Sequence, residues 1–301
     1  MAYGIGVVHD PRKPKVAKAL AVNQNKGLRT VLGAYKATPI RNLELEAYCP
    51  PLDIYFNKRL ADFQQRIRGS PLETLISNAC SGVKAALKNR RGPPKRQRTQ
   101  YLGTNLDEWT RQWLAGTGNE GSAGALRRDW KQRWEQGAPQ RTTRRAADTA
   151  LPKAFEGSHL KLYENLNKAQ SSIICQARTG KIGLRAFLYN RRVPGVDTPE
   201  CPCGSGPQTA EHLFCECNDP RSRPLRDIGY TTAEGVREAL SSPSQVLQIA
   251  RGVIASGWLQ EYRLAEKLGY EEALEVAAAG YTRRPPPERH KKRRPRRPLA
   301  P

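Results

Sequence analysis

The sequence predicts a mainly α-helical chain with one small zinc-knuckle module and a disordered basic C-terminal tail. Three observations predict it. Apolar residues recur at steps of three and four through most of the first 87 residues and again beyond residue 158, which is the period of helices with one buried face. Cys201-Pro-Cys203-Gly204 is followed by seven residues before His212 and four more before Cys217, a spacing that closes a tetrahedral metal shell. From Arg283 onward the chain is almost wholly Pro, Arg and Lys, with nothing to bury.

The helices follow in order. Between Lys15 and Tyr35, Val16, Leu20, Leu28, Val31 and Leu32 fall at roughly helical intervals, and Thr38-Pro39 reads as a cap and first-turn proline for a second helix that Pro50-Pro51 ends. Leu52, Phe56, Leu60, Phe63 and Ile67 form the cleanest stripe. Ser70-Pro71-Leu72-Glu73 reads as a capping box with proline at the first helical position, opening a stripe through Leu72, Ile76, Cys80, Val83 and Leu87. These stripes are expected to be core, and together they define a compact helical unit over residues 1–87.

Residues 88–157 begin as a basic linker and continue as two tryptophan pairs at i, i+4, Trp109 with Trp113 and Trp130 with Trp134, which predict a helical hairpin zipped by indoles. Stacking on bases is the alternative use of these rings. The intervening Gly116-x-Gly118-x-x-Gly121 matches a dinucleotide-binding pattern but follows a helical segment instead of a strand, so it carries no such expectation. A further helix is expected from Ser158 to about Gln176, stopped by Thr179-Gly180.

Residues 158–218 then combine a basic stretch with the metal module. Arg178, Lys181, Arg185, Arg191 and Arg192 occur without an intervening acid and alternate with Phe187 and Tyr189. Cations that grip phosphates beside rings that stack on bases suit single-stranded nucleic acid. In the metal module, three thiolates and an imidazole suit Zn²⁺, whose filled d shell tolerates tetrahedral geometry, and a closed shell makes the ion structural. The pair Cys201-x-Cys203 is one residue tighter than usual and stiffened by Pro202, while Gly204 lets the backbone bend. Cys217 is the expected third sulfur, with Cys215 as the alternative ligand. Residues 219–282, with Val246, Ile249, Val253 and Ile254 and then Trp258, Leu259 and Leu264, are expected to add two helices as a near-neutral cap. Residues 283–301, including Lys291, Lys292, Arg293 and Arg294, form the tail and resemble a nuclear-import or polyanion-binding segment.

Charge narrows the partner. The 301 residues carry a net charge of +23, distributed as +7 over 1–87, +8 over 88–148, +2 over 149–218, −2 over 219–282 and +8 over 283–301. Such an excess favours a polyanion, most simply RNA or single-stranded DNA, through counterion release. No apolar run approaches a membrane span, and the short apolar start reaches Asp10 too soon for a signal peptide. A nuclear or cytoplasmic, non-secreted protein is expected, in which the seven cysteines are free thiols or metal ligands.

Two segments resemble one known family. Residues 32–47 (LGAYKATPIRNLELEA) and 50–55 (PPLDIY) resemble the region just after the polymerase palm and thumb of fungal non-LTR, LINE-type, Tad-like retrotransposon reverse transcriptases. Lys168 to Gly183, Val193-Pro194-Gly195-Val196 and the Cys201, Cys203, His212, Cys217 set resemble the C-terminal zinc-knuckle segment of the same polyproteins. The likeness covers roughly residues 25–90 and 158–217, with weaker echoes at the tryptophan pairs and near Trp258. It implies a role in gripping element RNA or target DNA, with a reverse transcriptase polypeptide as a further partner. Catalysis is not expected: two-metal phosphoryl chemistry needs converging carboxylates, and no Asp-Asp dipeptide occurs. Glu44 and Glu46 sit two apart on a helix and point to different faces. The resemblance therefore implies a non-catalytic C-terminal remnant, or a structural module that docks the polymerase portion or a host protein.

Overall fold

The computed structural model describes residues 9–11, 14–88, 106–136 and 157–262, except for the side chains of 80–88. The described residues are helical, with no strand among them and a single antiparallel bridge between Glu200 and Pro207. The expected basic tail, including Lys291, Lys292, Arg293 and Arg294, lies outside them, as do most of the basic linker and Leu264. Among the described residues no helix is long and apolar enough to cross a membrane.

Helix α1 (Lys15–Leu32) ends at Gly33, whose φ of 62° is the left-handed turn that closes the helix. A Cβ at Gly33 would run into the side chain of Ser172, so glycine serves both the turn and the close approach. Helix α2 (Ile40–Glu46) starts after Pro39, but Thr38 does not cap it: its hydroxyl is buried and unpartnered. Helix α3 (Leu52–Ile67) packs against α1 on one side and against α6 (Gly121–Gln136) on another. That double contact buries Ile54 and Ala61 with Phe56, Leu60 and Ile67, while Leu52 and Phe63 are half-buried. The single-stripe expectation saw only one of the two contact faces.

Helix α4 (Pro71–Lys88) corrects two expectations. The Ser70 hydroxyl donates back to the Ile67 carbonyl instead of accepting from Glu73, and Glu73 accepts from the Gly69 N–H at 2.8 Å and from Gln64 Nε2 at 3.0 Å. The predicted core stripe faces solvent where it is described, with Leu72, Leu75 and Ile76 all exposed. Among the described residues α3 is the main helix that α4 meets, and one contact does not cover its apolar face.

Helix α5 (Leu106–Leu114) and α6 form the expected hairpin; the first tryptophan pair joins its two helices, while the second packs on the helices beneath. Trp109 and Trp113 stack on each other at 5.6 Å between centroids, and Trp113 packs with Ala61 of α3 and donates to Asp129 at 2.7 Å. Trp130 joins Leu45 and Ile54, and Arg41 lies over the Trp134 ring at 4.4 Å. Trp113 thus ties α5 to both α6 and α3, while Trp130 and Trp134 anchor α6 to α2 and α3, each indole burying a large surface.

In the second half, the expected helix from Ser158 is two elements: a 3₁₀ segment (Ser158–Tyr163), then α7 (Lys168–Arg178), started by a reciprocal capping box between Asn167 and Gln170. Next come α8 (Arg185–Asn190), α9 (Ala210–Cys215), α10 (Arg223–Arg226), α11 (Ala233–Ala239) and α12 (Val246–Ser256). Val246, Ile249, Val253 and Ile254 of α12 share one buried cluster with Ile173, Ile174, Leu213, Phe214, Cys201 and Cys217. Helix α12 is therefore the centre of this core and not a separate cap. Trp258 and Leu259 lead into a short 3₁₀ turn (Gln260–Tyr262).

A buried ion pair joins the halves. Arg178 Nε donates to Glu46 Oε1 at 2.6 Å, and both side chains are essentially inaccessible, at 1% and 0% exposed. The Arg178 guanidinium also donates to the Leu240 carbonyl at 2.7 Å, and the Tyr163 hydroxyl bonds the same Glu46 oxygen. Burial and the adjacent Glu46 carboxylate push the Tyr163 phenol well above its ordinary value, so it stays a donor.

Glu44 turns the other way, toward Arg133 and Asp53, and burial pushes its carboxyl up to about 7. A folded value above the unfolded one means that Glu44 is harmless below about pH 4.5 and increasingly costly as pH rises through 7. Discounted for its partial exposure, this cost is about 2 kcal/mol at pH 8. Glu44→Gln should flatten that part of the pH–stability profile in denaturant titrations; an unchanged profile would refute the assignment.

Candidate metal centre and basic helix

The metal cluster is built on a tight hairpin and a short helix. The Glu200–Pro207 bridge, with Cys201 N–H donating to the Gly206 carbonyl at 2.8 Å and Gly204 N–H to the Cys201 carbonyl at 2.9 Å, folds Cys201 and Cys203 onto one side of a turn. Gly204 and Gly206, with φ of 76° and 143°, supply the conformations this turn needs. Helix α9 is opened by the Thr209 hydroxyl, which accepts from the His212 N–H. Its apolar side seats Leu213 and Phe214 in the core, which directs His212 toward the hairpin.

The chain leaves α9 at Glu216, and the Cys217 N–H reaches back to the His212 carbonyl at 2.9 Å. This turn is one residue wider than a helical one and carries the Cys217 sulfur back beneath the imidazole. Cys215, still helical, packs half-buried against the apolar core. The ligand choice that the sequence left open therefore falls to Cys217.

The sulfurs of Cys201, Cys203 and Cys217 and one ring nitrogen of His212 all lie within 4.8 Å of one another. Cys201 Sγ is 3.5 Å from Cys217 Sγ, and Cys203 Sγ is 3.1 Å from His212 Nε2. Tetrahedral edges around an ion with metal–sulfur bonds of about 2.3 Å are about 3.8 Å, whereas a disulfide would need sulfurs about 2.0 Å apart. The four donors thus fit a metal ion. The Glu216 carboxylate lies 3.6 Å from His212 Nδ1, which favours the tautomer that bares Nε2 toward the sulfurs.

Electrostatics within the cluster are uneven. The Ser205 backbone N–H holds the Cys203 thiol down at about 6, while burial pushes the Cys201 thiol up to about 12. Arg221 is held in its charged form first by Asp219 and then by Cys201 and Cys217. Its guanidinium sits 3.7 Å from the centre of the Trp258 ring, whose N–H bonds Ser222 at 2.9 Å. A cation beside three thiolates offsets their excess charge over a divalent ion. The sequence carried no signal for this contact, because Arg221 and Trp258 meet only in the fold.

The basic stretch divides. Arg178, expected at a nucleic-acid surface, is removed from it by its buried pairing with Glu46. Phe187 is half-buried against Tyr35, 5.4 Å between centroids, with the Arg191 guanidinium 5.9 Å from its ring centre. Tyr189, Arg191 and Arg192 are exposed, and Lys181 and Arg185 are half-buried. Arg185, Arg191 and Arg192 have no acidic partner among the described residues.

Two features tie α8 to the metal hairpin and shape its end. Gln208, 2% exposed, accepts the Arg185 N–H on its side-chain oxygen at 2.9 Å and the Ala186 N–H on its carbonyl, while its own N–H bonds Pro199. The helix closes with Arg192 N–H to the Tyr189 carbonyl and Val193 N–H to the Leu188 carbonyl, a Schellman pattern. Arg192 occupies its left-handed position at φ 55°, where glycine is the unstrained choice. No protein-family model, no curated protein and no solved structure matches this chain.

Proposed function

We propose that this chain is a non-catalytic nucleic-acid-binding polypeptide whose single structural zinc ion, held by Cys201, Cys203, His212 and Cys217, fixes a short cationic helix against RNA or single-stranded DNA. Three thiolates and one imidazole favour zinc over harder divalent ions, and four protein donors leave no position for a reacting water. The ion holds the hairpin, and through Gln208 the hairpin holds the start of α8. The observation that carries the reading is this link between the metal turn and the cations Arg191 and Arg192, both exposed and without acidic partners among the described residues. An arginine kept in a glycine position at Arg192 supports it. A role in the C-terminal region of a non-LTR reverse transcriptase, acting in the nucleus beside the polymerase polypeptide, accords with the sequence resemblance.

Arg191→Gln/Arg192→Gly removes both charges while relieving the backbone at 192. In fluorescence-anisotropy titrations with labelled RNA and single-stranded DNA, wild-type affinity should fall steeply with salt, and the variant's log–log slope should be shallower by about 1.4. Absence of binding by the zinc-loaded protein at low salt would overturn the proposal. The exposed Leu72, Leu75 and Ile76 of α4 favour a second reading, a protein-docking module. Salt-insensitive capture of a single polypeptide, without nucleic-acid binding, would select it.

A further inference from the structure

Helix α1 presents an outer face that self-packing does not explain. None of its 18 residues is acidic, and Lys15, Lys18 and Lys26 are exposed on the solvent side with Asn23, Val22 and Val31. Val22 and Val31 are 55% and 68% exposed. Several surface cations of α3, α5 and α6 are matched by acids, Lys58 with Asp62, Arg111 with Asp107, Arg127 with Glu120 and Arg133 with Asp53, whereas α1 carries no acid at all. Lys15, Lys18 and Lys26 have no acidic partner among the described residues. A helix stabilised for its own sake gains from opposite charges three or four residues apart; here Lys15 and Lys18, at i, i+3, repel.

The C-terminal end of α1 strengthens the pattern. The last carbonyls of a helix are partially negative and would repel a phosphate. The Lys168 ammonium covers them, donating to the Thr30 carbonyl at 2.9 Å and also to that of Val31. Just beyond, the Tyr35 ring rests on Phe187 of α8, which also has the Arg191 guanidinium 5.9 Å from its centre. The chain leaving α1 is therefore joined to α8 through one aromatic contact. An 18-residue helix is about 27 Å long, so the combined surface is far larger than α8 alone.

We propose that the outer face of α1 is a second nucleic-acid contact, which tracks the phosphate backbone of the same strand that α8 and the metal hairpin hold. The inference rests on the nucleic-acid reading above and extends its footprint. Lys15, Lys18 and Lys26 contact phosphates without reading sequence, while Val22, on the same helical face between Lys18 and Lys26, packs on the sugars.

The test is a Lys15→Gln/Lys18→Gln/Lys26→Gln variant of the full zinc-loaded chain, titrated against a labelled oligouridylate and a labelled oligothymidylate over a range of salt. The log–log slope should become shallower by about 2, and the length of strand covered per protein should shorten, with the zinc content and unfolding midpoint unchanged. Wild-type binding with an unaltered slope in the variant would overturn the α1 contact and leave the α8 reading standing. A wild-type chain that binds neither probe would overturn both.

Discussion

His212→Ala is expected to abolish stoichiometric metal binding and loosen the whole segment from the hairpin through α9, whereas Cys215→Ser should change neither. This contrast follows from the path of the chain around Glu216, which brings His212 and Cys217 onto one arc and leaves Cys215 against the apolar core. Metal binding and folding are linked wherever the ligands converge only in the folded state. Here Leu213, Phe214 and Cys217 belong to the same core as α12, so losing the ion exposes more than a loop. The expected cost is on the order of 4 kcal/mol. Metal-to-protein ratios by mass spectrometry and denaturant unfolding with and without chelator measure it. One retained ion per chain in His212→Ala, or loss of the ion in Cys215→Ser, would refute the ligand set. Trp258 offers a local signal, because its ring lies on Arg221, four residues past Cys217, and its fluorescence should shift when the ion is withdrawn.

The second large effect concerns the seam. Arg178→Met leaves Glu46 buried without its cation, and removing one partner of such a pair costs about 3–5 kcal/mol. The Glu46 oxygen that accepts from Arg178 also accepts from Tyr163, and its second oxygen has no partner among the described residues. The uncompensated charge would have little else to lean on. A paired Glu46→Gln/Arg178→Met change should recover part of the loss, since a buried pair exchanged for neutral groups leaves no lone charge. A double-mutant cycle by chemical denaturation measures the coupling. A cost under about 1 kcal/mol for Arg178→Met would show that solvent reaches the pair.

Much of the architecture was legible in the residues. The periodic apolar positions marked α3, α7 and α12, the Thr179-Gly180 stop stands where α7 ends, and the spacing of Cys201, Cys203 and His212 marked the cluster. Periodicity, though, reports only that a face is apolar and not what covers it. Leu72 and Ile76 repeat as faithfully as Phe56 and Leu60, yet the first pair meets solvent while the second is buried, Phe56 against Ala17 of α1. Local hydrogen-bonding competition undid the Ser70 cap, because a hydroxyl's partner depends on where the preceding loop places the neighbouring carbonyls and amides; the Thr38 hydroxyl is buried without a partner among the described residues and caps nothing.

By itself, the sequence determined the helical class, the positive charge and the donor types of a metal site, since each depends on residue identity and short spacing. Tertiary structure alone decided the meaning of individual residues. Glu46, 132 residues away, takes Arg178 out of solvent; Gln208 carries α8 on the metal hairpin; and Cys217 instead of Cys215 faces the imidazole. The physical reason is common to all three: a charge, an amide or a thiol acts through whatever lies within a few ångströms of it, and distant segments become neighbours only when the cores between them close.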